Sequence, residues 1–171
     1  MEAFGIAPAK ALETAIPADF PVTTMKTMNE HCIKVCNRLL RGEISAVETY
    51  GQAIEKFPDS PVSPELRRIR SEHETSVSLL EQNVRSMGGE PDRSSGAWGT
   101  FATTVQGTAN LFGDNSAIGS LQRGEEAGRS DYQDALLDDD VMPESKTLIR
   151  EKLWPPVMKH IASLERLEQT A

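Results

Sequence analysis

Residues 41–54 read RGEISAVETYGQAI, and residues 123–136 read RGEEAGRSDYQDAL. Arg, Gly, Glu, Tyr and Ala recur in register, Ala46 aligns with Gly128, and Ile54 with Leu136. Five identities in fourteen positions can arise by chance, so the repeat needs independent support.

That support comes from the apolar pattern on either side. From Met25 the apolar positions run Met28, Cys32, Cys36, Leu39, Leu40, Val47, Tyr50, Ile54 and Phe57, a helical period that Pro58 stops. Thr23-Thr24 reads as its N-cap region. A second helix is expected after Ser63-Pro64, with stripe Leu66, Ile69, His73, Val77, Leu80, Val84 and Met87, ended by Gly88-Gly89. Trp98, Phe101, Val105, Ala109 and Phe112 suggest a short helix. Ser116 opens the next long one, with stripe Ile118, Leu121, Glu125, Gly128, Tyr132 and Ala135. The last helix runs Leu148, Leu153, Val157, His160, Leu164 and Leu167, and Pro155-Pro156 inside it should kink or split it near Trp154. No strand pattern survives, so the fold class is all-α. Two helical hairpins joined by a 28-residue connection (88–115) suggest a four-helix bundle whose crossover carries a short helix of its own.

Each long helix places one metal-competent group in its apolar stripe. Glu43 lies seven residues from both Cys36 and Tyr50, a spacing that drifts only ~20° around a helix. Glu125 stands likewise toward Tyr132, while His73 and His160 interrupt the stripes of the second and last helices. The repeat therefore marks two halves related by a pseudo-two-fold. Burying two carboxylates and two imidazoles is costly unless they are paired, hydrogen-bonded or bound to metal. Carboxylate with imidazole suits iron, manganese or zinc.

Gly42-Glu43 with Tyr50, and Gly124-Glu125 with Tyr132, resemble the first and third helices of rubrerythrin-type members of the ferritin-like superfamily. The chain is more similar still to a bacterial branch of ferritin-like four-helix-bundle proteins of unknown function, through its RGE…Y helices and the Trp98-headed helix. The resemblance spans about residues 26–168 and implies a ferritin-like bundle over 24–171, preceded by an N-terminal arm (1–23). It also implies ligands Glu43, His73, Glu125 and His160 for iron, manganese or zinc, with Tyr50 and Tyr132 just outside them; Arg70, one turn from His73, is expected beside them by its own spacing. The family holds two irons with a Glu three residues before each His. Here Arg70 and Val157 occupy those places, and Glu72 and Glu74, rotated ~100° from His73, do not replace them.

Two function classes follow. The favoured one is a non-catalytic, stress-related bundle whose ancestral site has become an ion-pair layer around Arg70. The alternative is a metal-binding protein that handles oxygen or peroxide with one Fe, Mn or Zn ion. No nucleophile–base pair or phosphate loop points to another chemistry.

Bulk properties narrow the partners. A net charge of −8, from 26 acidic and 18 basic residues, disfavours nucleic acid. No apolar run reaches the roughly 20 residues of a membrane span. The start MEAFGIAPAK lacks a signal-peptide pattern. Cys32 and Cys36 share a helix face as core residues without redox spacing, which reads as a cytoplasmic protein with reduced thiols. Self-association, most simply as a homodimer, is the expected partnership.

Overall fold

The computed structural model describes residues 22–113 and 116–169, and they are all-helical. The expected arm, apart from its last two residues, lies outside them. Helix α1 spans Val22–Lys56, about 52 Å at ~1.5 Å per residue. Thr23 and Thr24 are therefore inside the helix and do not cap it. Helix α2 is Ser63–Ser86, with Pro64 in its first turn. Ser63 does not cap by accepting a hydrogen bond; its hydroxyl donates to the Phe57 carbonyl at 2.6 Å, tying the α1–α2 turn together. Gly88, at φ 78°, ends α2. Its N–H donates to Arg85 O at 2.9 Å, and the N–H of Gly89 to Val84 O at 3.0 Å.

A 3₁₀ turn (Gly96–Gly99) and α3 (Thr100–Gly107) occupy the long connection, and α3 packs against α1 and α4. Helix α4 is Ala117–Leu137; Ser116 caps it by accepting from Gly119 N at 3.0 Å. The last helical run is α5 (Pro143–Leu148), a π-helical turn (Ile149–Leu153) and α6 (Trp154–Gln169). Pro155 and Pro156 thus fall in the first turn of α6, where a missing N–H costs least. The wider π turn ahead of them absorbs the change in hydrogen-bond register, so the helix is modified by a bulge before Trp154.

Helix α1 packs along α2 and α4, and α4 along α6. The interior holds two apolar clusters. One gathers Cys32, Cys36, Leu40, Leu80, Ile149 and Leu153; the other gathers Ala53, Leu66, Ile69, Ile118, Leu121 and Leu164. In α1, α2 and α4 the polar stripe residue falls between the helix's contributions to the two clusters, while in α6 His160 lies between Val157 and Ile161 of the first, ahead of Leu164 of the second. Among the described residues no helix is long and apolar enough to cross a membrane.

Candidate functional site

The polar layer lies where the heptad spacing puts it, because each group sits on the inward stripe of its helix. Glu43 is 5 % exposed, His73 3 %, Glu125 4 % and His160 1 %. All four come together. His73 Nδ1 is 2.7 Å from Glu43 Oε2, and its Nε2 is 2.9 Å from Glu125 Oε1. An ionised carboxylate can only accept, so both ring nitrogens donate and His73 is an imidazolium. Burial alone would depress its pKa. The adjoining charges of Glu125 and Glu43 outweigh that and push it up to about 10. Burial likewise opposes ionisation of Glu125, yet the His73 cation holds it down to about 2.

The tyrosines cross between the halves. Tyr50 of α1 donates to Glu125 Oε1 of α4 at 2.6 Å, and Tyr132 of α4 donates to Glu43 Oε1 of α1 at 2.5 Å. Burial, then the charge of the bonded carboxylate, raises both phenols well above their ordinary pKa, so they remain donors.

His160 meets a partner that the sequence reading discounted. Its Nε2 is 2.7 Å from Glu72 Oε2, and Arg68 in turn holds Glu72 through its other oxygen. The ~100° rotation that takes Glu72 away from the centre of the α2 stripe aims it at α6 instead, where His160 stands; the two imidazoles lie 4.7 Å apart. A carboxylate next to a stripe histidine was the available signal, but only the position of α6 shows its use.

Arg70 is the corresponding correction. Its side chain is 43 % exposed, with Nε 3.5 Å from Glu74 Oε1, and it lies over Gly51, where an added Cβ would come within 3.8 Å of Nε. The guanidinium is drawn to the wet edge of α2, and the charge inside the layer is the proton on His73. The cation that touches the layer's outer carboxylate is Arg68.

Both histidines therefore carry a carboxylate on one nitrogen and turn the other toward Glu125. For His73 the outer partner is Glu43; for His160 it is Glu72, and His160 Nδ1 lies 3.4 Å from Glu125 Oε1. His160 Nδ1 and Glu125 Oε2 are buried with no hydrogen-bond partner. His73, Glu125 and His160 can each bring one donor atom to within 4.8 Å of the others, close enough to hold one metal ion.

Elsewhere, Cys32 and Cys36 are buried, as expected. They sit in a hydrogen-bonded group where Cys32 Sγ donates to Ser145 Oγ at 3.4 Å and Asn83 Nδ2 donates to Cys36 Sγ at 3.3 Å. His31 Nε2 is hydrogen-bonded to Asp138 Oδ2 at 2.7 Å, so one residue of the acidic run 138–140 has a partner on α1.

No curated protein and no solved structure matches the chain. One family does, over residues 31–138, more than half the chain. That segment carries Glu43, Tyr50, His73, Glu125 and Tyr132, while His160 lies beyond it. The chain belongs to the family described as Domain of unknown function (DUF2383).

Proposed function

We propose that this chain is a ferritin-like four-helix bundle that binds one divalent transition-metal ion, with His73 Nε2, His160 Nδ1 and Glu125 as ligands. The observation that carries the reading is the paired orphaning of His160 Nδ1 and Glu125 Oε2. A purely structural polar layer should satisfy its buried groups, because an unpaired one costs about 1–3 kcal/mol. Here the two unsatisfied atoms belong to neighbouring groups, and both are good donors to a metal.

The outer partners fit the same role. Metal-ligating histidines characteristically give their second N–H to a carboxylate, which fixes the ring and raises its basicity. Glu43 holds His73 in this way and Glu72 holds His160. Glu43 is therefore assigned to orienting His73. Two nitrogens and a carboxylate suit zinc, iron or manganese. A pair of ions bridged by carboxylates does not fit, since Arg70 and Val157 stand where the bridging acids would be. Oxidase chemistry of the two-iron kind is accordingly not part of the proposal.

His73 must give up its Nε2 proton to become a ligand, since metal binding requires the neutral imidazole. A second reading keeps that proton permanently: the imidazolium, bonded on both sides, would clamp Glu43 to Glu125 in a metal-free, non-catalytic bundle. Elemental analysis of protein purified without tag or chelator, followed by titration with Zn(II), Fe(II) and Mn(II), separates the two. Near-stoichiometric metal, lost in Glu125→Gln, supports the metal reading. Protein that takes up none of the three ions leaves the clamp.

A further inference from the structure

The repeated stretch contains small residues whose purpose the layer does not explain. Gly42 and Ala46 of α1 face Gly124 and Gly128 of α4 across a cavity of about 40 Å³. A glycine inside a helix is less favourable than alanine, so three of them around one cavity call for a reason. Close packing is not that reason: a Cβ built on Gly42 or on Gly128 meets nothing within 4 Å. The space beside them is open.

The cavity reaches the layer, for Glu43, His73 and Glu125 also line it. Glu125, which lines the cavity, is 4 % exposed, and its Oε2 is buried with no hydrogen-bond partner. Approach along the helix axes is obstructed, since the two apolar clusters cover the layer on either side. Trp98 of the 3₁₀ turn forms part of the cavity wall, held to α1 by a 2.6 Å hydrogen bond from Ser45 Oγ to its carbonyl. Asp131 also lines it, with its Oδ1 4.0 Å from Arg38 Nε. The volume suits a few waters or one partly hydrated ion, since about 10–15 Å³ of such space admits one water.

We propose that the glycine-lined cleft between α1 and α4 is the port through which a divalent metal ion reaches Glu125, with Asp131 as an anionic way-station. This inference rests on the metal-binding reading above. Carboxylates in a narrow, low-dielectric cleft concentrate cations at its floor. Gly42 and Gly128 leave the gap, and the glutamate next to Gly124 binds what passes through it.

The test is stopped-flow uptake of Zn(II) by the metal-free full-length protein, with stoichiometry and melting temperature measured in parallel. Gly128→Leu, or the milder pair Gly42→Ala and Gly128→Ala, fills the gap; Gly107→Ala on α3, also with open space around it, is the control. The expected result is uptake slowed roughly tenfold in the filled variants and in Asp131→Asn, with one ion still bound at equilibrium and the fold intact. The alanine pair should melt no lower than the parent, which separates a blocked port from a damaged bundle. Wild-type uptake rates in both filled variants would overturn the port while leaving the metal site standing. Wild-type protein that binds no Zn(II) overturns both.

Discussion

Tyr50 on α1 donates to Glu125 on α4 at 2.6 Å, and the reciprocal bond from Tyr132 on α4 to Glu43 on α1 is 2.5 Å. Each half of the repeat thus supplies the donor for the other half's carboxylate. His73 bridges the two carboxylates, so the five groups form one network.

The two hydroxyls should not be equivalent. Tyr132→Phe deprives Glu43 Oε1 of its donor and should destabilise by about 1–3 kcal/mol. Tyr50→Phe should cost less, because Glu125 Oε1 keeps the His73 bond. Urea unfolding of both single variants and the double variant should give a coupling of at least ~0.5 kcal/mol, transmitted through His73. Strict additivity would show that the two tyrosine–glutamate pairs are independent.

Two neighbouring charges on α2 should behave oppositely. The Arg70 side chain is 43 % exposed, although its Nε is buried without a hydrogen bond, so Arg70→Glu should shift stability by no more than about 0.5 kcal/mol. Glu72→Ala strips His160 Nε2 of its partner inside the bundle and should cost about 1–3 kcal/mol. Chemical denaturation of both settles the order; a larger loss from Arg70→Glu would return the arginine to the layer.

The pH profile of the metal-free protein follows from His73 and Glu125. His73 holds its proton to about pH 10 when folded, against an ordinary 6.5. Between those values the folded chain binds more protons than the unfolded one, so stability is greatest below 6.5 and falls as pH rises toward 10. Glu125, at about 2 against an ordinary 4.5, contributes above 4.5 and loses its share as pH falls toward 2. The melting temperature of wild type minus that of His73→Gln should therefore decline from near-neutral pH toward pH 10. A difference that stays flat or rises is incompatible with a doubly bonded imidazolium.

Alanine at Gly42 or at Gly128 should stabilise the metal-free fold by about 0.5–1 kcal/mol each, through helix propensity and a less flexible unfolded chain. The added methyl meets no neighbour at either place. Thermal melts measure this directly, and a loss of stability at both would mean that the cleft closes around its glycines in solution.

The all-helical class, the stops of the long helices and the inward glutamates, histidines and tyrosines were legible in the sequence, whereas the short crossover helix, expected to reach Phe112, ends at Gly107. They depend on local rules: a period near 3.6, prolines and glycines at ends, and a heptad spacing that keeps Glu43 and Tyr50 on one face. The mistakes share a different origin. Arg70 and Glu72 are one turn and one residue from His73, and their distance along the chain does not reveal which edge of α2 faces water and which faces α6. The start of α1 ahead of Thr23 and the π turn before Trp154 depend on hydrogen-bond register around the surrounding residues, which apolar periodicity does not record. The sequence by itself determined which side chains enter the core, because periodicity assigns each residue to a face. Only the tertiary structure decided their partners, the crossed tyrosines, the Glu72–His160 bond and the two orphaned atoms beside Glu125, because those depend on the relative height and rotation of separate helices.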